Sequence, residues 1–298
     1  MVDITLQNFK EEVLQASQTT PVLLDFWATW CGPCQSLGPV LEKVEADYQG
    51  RFILAKVDVD SQQQVASMFG VRSVPTVVLM VNGQPVDGFT GALPEQQVRA
   101  FLDQHLPSAQ EVEAEHDTQE AEEALLGGDT ETALQKLEHA VHTDPDNEAA
   151  RFDYVKVLLQ MGRTDDAKVA FAPVIAKTGV VRRLDSLQRW MQAIDASEGV
   201  ADTQAWDVAI AANKRDFAAR FARAQWLMAQ QRWTDAMDEL LEILMRDKNW
   251  NEDAARKTYI AVLDVIEPPK VAVAEGQIPP EDPTLATYRR RLSSVVLS

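Results

Sequence analysis

The first hundred residues alternate compact apolar runs with amphipathic segments. Residues 21–27 and 52–59 are compact, mostly apolar runs of a strand's length, the mark of strands buried on both faces. Between them, Leu37, Leu41 and Val44 recur at helical spacing and predict a helix over residues 34–48. Residues 9–16 and 63–69 predict short helices. Residues 76–81 and 85–89 flank Asn82-Gly83, a two-residue hairpin signal. Residues 94–106 predict a closing helix with Pro94 in its first turn. From residue 111 to 266 there is no convincing strand pattern, and Ala, Leu, Gln, Glu and Arg dominate. Residues 267–283 carry five prolines and exclude helix. Residues 284–297 predict a last helix, with Leu285, Tyr288, Leu292, Val295 and Val296 beside Arg289, Arg290 and Arg291. That stripe either docks on the chain's own helices or is offered to a partner. The expected class is an α/β domain (1–107), an all-α domain (108–266), then a proline-rich linker and a C-terminal helix (267–298).

Composition adds bounds. A chain of 298 residues predicts about two domains, and 46% hydrophobic with 25% charged residues is a globular composition. Two cysteines exclude a disulfide scaffold. The net charge of −18 argues against nucleic acid and anionic membranes as partners. The charge is uneven: −6 over residues 1–107, −12 over 108–148 and zero over 149–298. An acidic module beside neutral helices either opposes self-association or is merely a solvated face. An apolar client surface is expected in the neutral part. No stretch is apolar enough to span a membrane. The N-terminus lacks a basic segment followed by an apolar one, so no export signal is read and a cytoplasmic location is expected.

Candidate chemistry sits where the first buried strand gives way to a helix, at Trp30-Cys31-Gly32-Pro33-Cys34. At a helix N-terminus, unpaired amides and the helix dipole favour the thiolate of Cys31. Cys34 lies one turn on, within disulfide reach, and is the natural resolving thiol. Gly32 and Pro33 form a stiff, tight bridge. The competing reading is half a zinc site. Zinc needs four ligands, or three and water, and His105, His116, His139 and His142 lie far downstream. No metal and no cofactor are expected.

The segment Leu24–Cys34 (LDFWATWCGPC) resembles the thioredoxin active site almost letter for letter. Pro39 matches that family's helix-kinking proline, Val74-Pro75-Thr76 its cis-proline loop, and Gly83 and Gly91 its later glycines. The resemblance covers residues 1–107 and implies a thioredoxin fold. It implies Cys31 as nucleophile, Cys34 as resolving thiol, Asp25 as the buried carboxylate assisting proton transfer, and Lys56 as its partner. It makes Trp30, Gly32, Pro33, Val74, Pro75 and Gly91 the client-contacting residues. Gln35 stands where lysine is common, which weakens electropositive tuning.

The helical part repeats. Gly128 recurs as Gly162 and Ala133 as Ala167, each 34 residues on; Ala167 to Ala236 is 69. The segments 128–133, 162–167 and 231–236 share one template. This resembles the tetratricopeptide repeat, with Gly at the turn within each helix pair. Trp190, Trp206, Trp226, Trp233 and Trp250 are expected to fill gaps between helices.

A thioredoxin-like domain followed by such repeats resembles the chaperedoxin family (CnoX/YbbN type). That resemblance implies a redox-competent holdase for unfolded or oxidised client proteins, protecting client cysteines from over-oxidation. It implies hand-over to the chaperonin GroEL–GroES through the C-terminal helix and to the DnaK system. Both cysteines are present, so reduction by thioredoxin reductase is expected. The alternatives are a thioredoxin-like oxidoreductase whose repeats only recruit substrates, and an exported thioredoxin–repeat protein.

Overall fold

The computed structural model describes residues 1–200, 202–269 and 281–297. It comprises two compact units, Met1–Val112 and the chain from Glu113 onward.

In the first unit, β1 (Val2–Asp3), β2 (Val22–Trp27), β3 (Ile53–Asp58), β4 (Thr76–Val81) and β5 (Gln84–Thr90) form one sheet in the order β1-β3-β2-β4-β5. β1, β3 and β2 run parallel; β4 and β5 are antiparallel. Five of the six residues of β2 are buried, as expected for a central strand. Its alternation divides the core. Leu23 packs with Leu37, Leu41 and Val44 of α1 (Gly32–Asp47) and Val98 and Leu102 of α3 (Glu95–Asp103). Leu24 and Phe26 pack on the other side with Phe9, Val13, and Val65 of α2 (Gln63–Met68). Asn82 and Gly83 both have positive φ (52° and 74°), the backbone that a two-residue hairpin requires.

Two details differ from the sequence expectation. Val2–Asp3 form a short strand against Ala55 and Lys56, and two residues are too few to show a period. The helix expected over 9–16 is a π-helical turn, Lys10–Gln15, followed by a 3-10 turn, Ala16–Gln18. That ending places Ser17 under the hairpin. Its carbonyl accepts from Asn82 N (2.6 Å) and its hydroxyl from Gly83 N (3.1 Å).

The remaining helices are α4 (Ala109–Leu126), α5 (Thr130–Thr143), α6 (Glu148–Gln160), α7 (Thr164–Phe171), α8 (Arg182–Ser197), α9 (Gln204–Ala212), α10 (Phe217–Ala229), α11 (Trp233–Leu244), α12 (Trp250–Ile266) and α13 (Pro283–Leu297). α4 starts with a capping box: Ser108 N donates to Glu111 Oε2 (2.6 Å) and Glu111 N to Ser108 Oγ (3.1 Å). The repeat template has a backbone cause. Gly128, Gly162 and Gln231 all have positive φ (80°, 73° and 55°). Each ends a helix with the same pair of hydrogen bonds: 128 to 125 with 129 to 124, 162 to 159 with 163 to 158, and 231 to 228 with 232 to 227. These are Schellman turns. Ala133, Ala167 and Ala236, five residues on, are fully buried where paired helices approach.

A second repeat was missed in the sequence. Ala149-Ala150-Arg151 and Ala218-Ala219-Arg220 lie 69 residues apart. Both arginines are buried and donate back to a carbonyl six residues before, Pro145 and Lys214 (3.1 and 3.0 Å). Trp190 is fully buried and meets Trp233 edge-on at 4.9 Å; Trp250 packs on Phe221 at 5.3 Å. Trp206 and Trp226 are half-buried.

The array does not remain an open stack. α10 packs on α8, α11 on α10, and α12 on α11, and α12 then returns to α8. α13 docks on α11 and α12, with Leu285 and Tyr288 buried. Tyr259 Oη donates to Tyr288 O (2.8 Å), and Arg291 pairs with Asp238 (2.6 Å). The apolar stripe of the last helix therefore lies against the chain's own repeats. Of the proline-rich stretch, residues 270–280 lie outside the described residues.

Part of the acidic segment has structural work. Lys136 bridges Asp117 (3.1 Å) and Glu120 (2.5 Å), tying α5 to α4. Large exposed apolar side chains of this unit, including Val169, Ile175, Val180, Val208 and Met245, fall mostly in the neutral part.

The left-handed turns give a paired prediction. Gly162→Ala forces a side chain into the left-handed region and lowers stability by roughly 1 kcal/mol, while Gln231→Gly raises it by a similar amount. Urea midpoints of the two variants should move in opposite directions; movement in the same direction contradicts the assignment of the third turn.

Candidate redox site

β2 delivers the chain to the start of α1, where Cys31 is the N-cap residue in an extended conformation. Its sulfur accepts the N–H of Cys34 at 3.2 Å. One unpaired amide of the helix start therefore points at sulfur, the geometry that stabilises a thiolate. Gly32 opens the helix, and Pro33, with no N–H to lose, occupies its second position. Cys31 and Cys34 are disulfide-bonded, with Cα atoms 5.3 Å apart. Both are buried, with Ala28, Trp27, Val59 and Val74 around them. The rim is open: Trp30 is 69% exposed, and Gly32 and Pro33 are exposed.

Two further loops complete the rim. The Val74–Pro75 peptide is cis, and Val74 packs on the cysteine cluster. Gly91, at φ 83°, donates its N–H to Pro75 O (2.9 Å). Trp30 with Gly32 and Pro33 at the start of α1, Val74 and Pro75 before β4, and Gly91 after β5 thus come together at one end of the sheet. Asp60 was missed: its Oδ2 accepts the Trp30 indole N–H (2.9 Å). Gln35, at the position where lysine was expected, donates its amide to Thr29 O (3.2 Å) and leaves that side of the rim uncharged.

Asp25, in β2, is 2% exposed, with Oδ1 accepting no hydrogen bond from a described residue. It shares the face of β2 with Leu23, toward α1. Its register partner across β3 is Lys56. Lys56 Nζ lies 3.8 Å from where a Cβ on Gly38 would sit, one turn of α1 beyond Cys34. Lys56 also donates to Glu42 Oε1 (2.9 Å), a partner no sequence signal marked. Desolvation pushes the Asp25 carboxyl up to about 6; Lys56 opposes this and Glu42 adds to it. A carboxyl poised near neutrality on the face of β2 that looks toward α1 can exchange a proton at physiological pH.

The thioredoxin family profile matches residues 1–104. The chain is 42% identical over 104 residues to a thioredoxin of Chlorobaculum thiosulfatiphilum, covering 94% of that protein and 35% of this chain. Thioredoxin 2 of Chlorobaculum tepidum is 43% identical over 104 residues with the same coverage. Thioredoxin 1 of a Nostoc species is 43% identical over 103 residues, again 94% of that protein and 35% of this chain.

The chain belongs to the thioredoxin family.

Tetratricopeptide-repeat profiles match residues 124–190 and 196–296, so this is a thioredoxin domain followed by such repeats. Its redox-type Cys-x-x-Cys pair supports thiol–disulfide chemistry. Among the described residues, one group of ligand-type side chains, His116, Asp117 and Glu120, lies within 4.8 Å. Lys136 already sits against both its carboxylates. No described helix is long and apolar enough to cross a membrane.

The raised Asp25 value has a stability consequence. Between about 4 and 6 the folded thioredoxin domain holds a proton that the unfolded chain has lost. Native stability therefore falls as pH rises through that window and stays lower above it. About two units correspond to roughly 3 kcal/mol. Asp25→Asn should be more stable than the oxidised parent at pH 7.5 by about that amount, with the gap closing toward pH 4. Denaturant melts across pH check this; a gap constant with pH contradicts it.

Proposed function

We propose that the chain is a redox-competent holdase of the chaperedoxin kind. Its thioredoxin domain exchanges disulfides with clients, and its repeats hold clients unfolded. The observation that carries this reading is the N-capped Cys31 site in the same chain as tetratricopeptide helices that bear exposed apolar side chains.

Cys31 is the nucleophile. Its thiolate attacks one sulfur of a client disulfide, forms a mixed disulfide and releases one client thiolate, which takes up a proton. Asp25 takes the Cys34 proton, with Lys56 steadying its charge. Cys34 then attacks Cys31 Sγ, restoring the Cys31–Cys34 disulfide and releasing the second client thiol. The client gains two electrons and the chain loses two. A dithiol donor such as thioredoxin reductase resets the pair. Trp30, Gly32, Pro33, Val74, Pro75 and Gly91 receive the extended client segment. No metal or cofactor takes part.

The domains are assigned as 1–107, 108–266 and 267–298, and the location as the cytoplasm. Clients pass to the chaperonin GroEL–GroES and to the DnaK system. Because Leu285 and Tyr288 are buried, a chaperonin contact through α13 uses its outer face, with Arg290, Ser293, Ser294 and Leu297.

The holdase claim separates from pure redox activity in one assay. A Cys31→Ser, Cys34→Ser double variant should still suppress aggregation of a cysteine-free unfolded client at equimolar ratio, with or without oxidant. Loss of suppression under both conditions returns the chain to the oxidoreductase reading, with repeats that only recruit substrates.

A further inference from the structure

α12 occupies an unusual place. In a regular stack of helix pairs each first helix packs on the first helix of the preceding pair. Here α12 meets α10 little and packs instead on α8 and α11. Its C-terminal end lies over α6 and α8. Val265 joins the cluster of Phe152, Val155, Leu184 and Leu187. Asp264 accepts from Ser186 Oγ (2.8 Å) and pairs with Arg182 (3.0 Å). Lys156 Nζ caps the end of the helix through Glu267 O (2.6 Å).

One feature opposes this seat. Lys156 and Asp264 are 9% and 6% exposed, and burying such charges costs desolvation that apolar side chains would not. Burial accordingly lowers the Lys156 value and raises that of Asp264. Leaving the groove would rehydrate both charges.

We propose that the groove between α6 and α8 is a helix-binding site, and that the end of α12 is its detachable resident. The groove selects an amphipathic helix ending at Lys156, with a carboxylate three residues earlier for Ser186 and Arg182 and a β-branched residue next to it. A partner helix of that chemistry competes with α12. The proposal is independent of the holdase reading, because its test needs no client and no redox chemistry.

The test uses the full chain and a fluorescein-labelled, C-terminally amidated peptide copying residues 254–267. In the native protein, amides of that segment should exchange at least tenfold faster than those of α8 and α10, showing a separate opening. The Val265→Asp chain, which puts a charge on the apolar floor, should bind the peptide at least tenfold more tightly than the native chain. Lys156→Ala added to it should reverse that gain. Exchange of α12 in step with α8 and α10 overturns the proposal whether or not Val265→Asp folds. So does absence of peptide binding by a Val265→Asp chain that retains native helicity and insulin reduction.

Discussion

One hydrogen bond organises the redox end of the molecule: the Cys34 amide donating to the Cys31 sulfur. A helix start leaves amides without partners, and here the N-cap residue that answers one of them is also the reactive atom. Everything nearby serves that arrangement. The apolar β2 fixes where the helix begins, Pro33 occupies a helix position that needs no donor, and Asp25, buried in β2, has no hydrogen-bonding partner for Oδ1 among the described residues. The cost is a buried carboxyl that destabilises the fold near neutral pH.

The thioredoxin half was legible because its signals are local. Compact, mostly apolar runs marked β2 and β3, Asn82-Gly83 marked the hairpin, and the spacing of the cysteines marked the helix start. What escaped was set by partners distant in sequence. β1 exists only through its pairing with β3. Asp60 matters only because a loop brings it to the Trp30 indole, and Glu42 only because Lys56 reaches it. Neither carboxylate differs from its neighbours until the chain is folded.

The repeats were legible for the same reason: a turn that needs left-handed backbone wants Gly, and Gly128 and Gly162 advertised it. The third turn keeps the geometry with Gln231 and so carried a fainter signal. Closure of α12 onto α8 was not legible. It rests on Lys156 meeting Glu267 and Ser186 meeting Asp264, over sequence separations of 111 and 78. The acidic segment, first notable as a charge of −12, also resolves into parts. Glu111 caps α4, and Asp117 and Glu120 hold Lys136. Glu113 and Glu115 are exposed and better suited to testing a solubility role.

The central claim is that helix-start geometry makes Cys31, and not Cys34, the attacking thiol. Competition for limiting iodoacetamide on the reduced chain at pH 7, read by peptide mass spectrometry, tests it directly. The account predicts modification of Cys31 at least roughly tenfold faster than Cys34. Equal rates, or faster modification of Cys34, would contradict it.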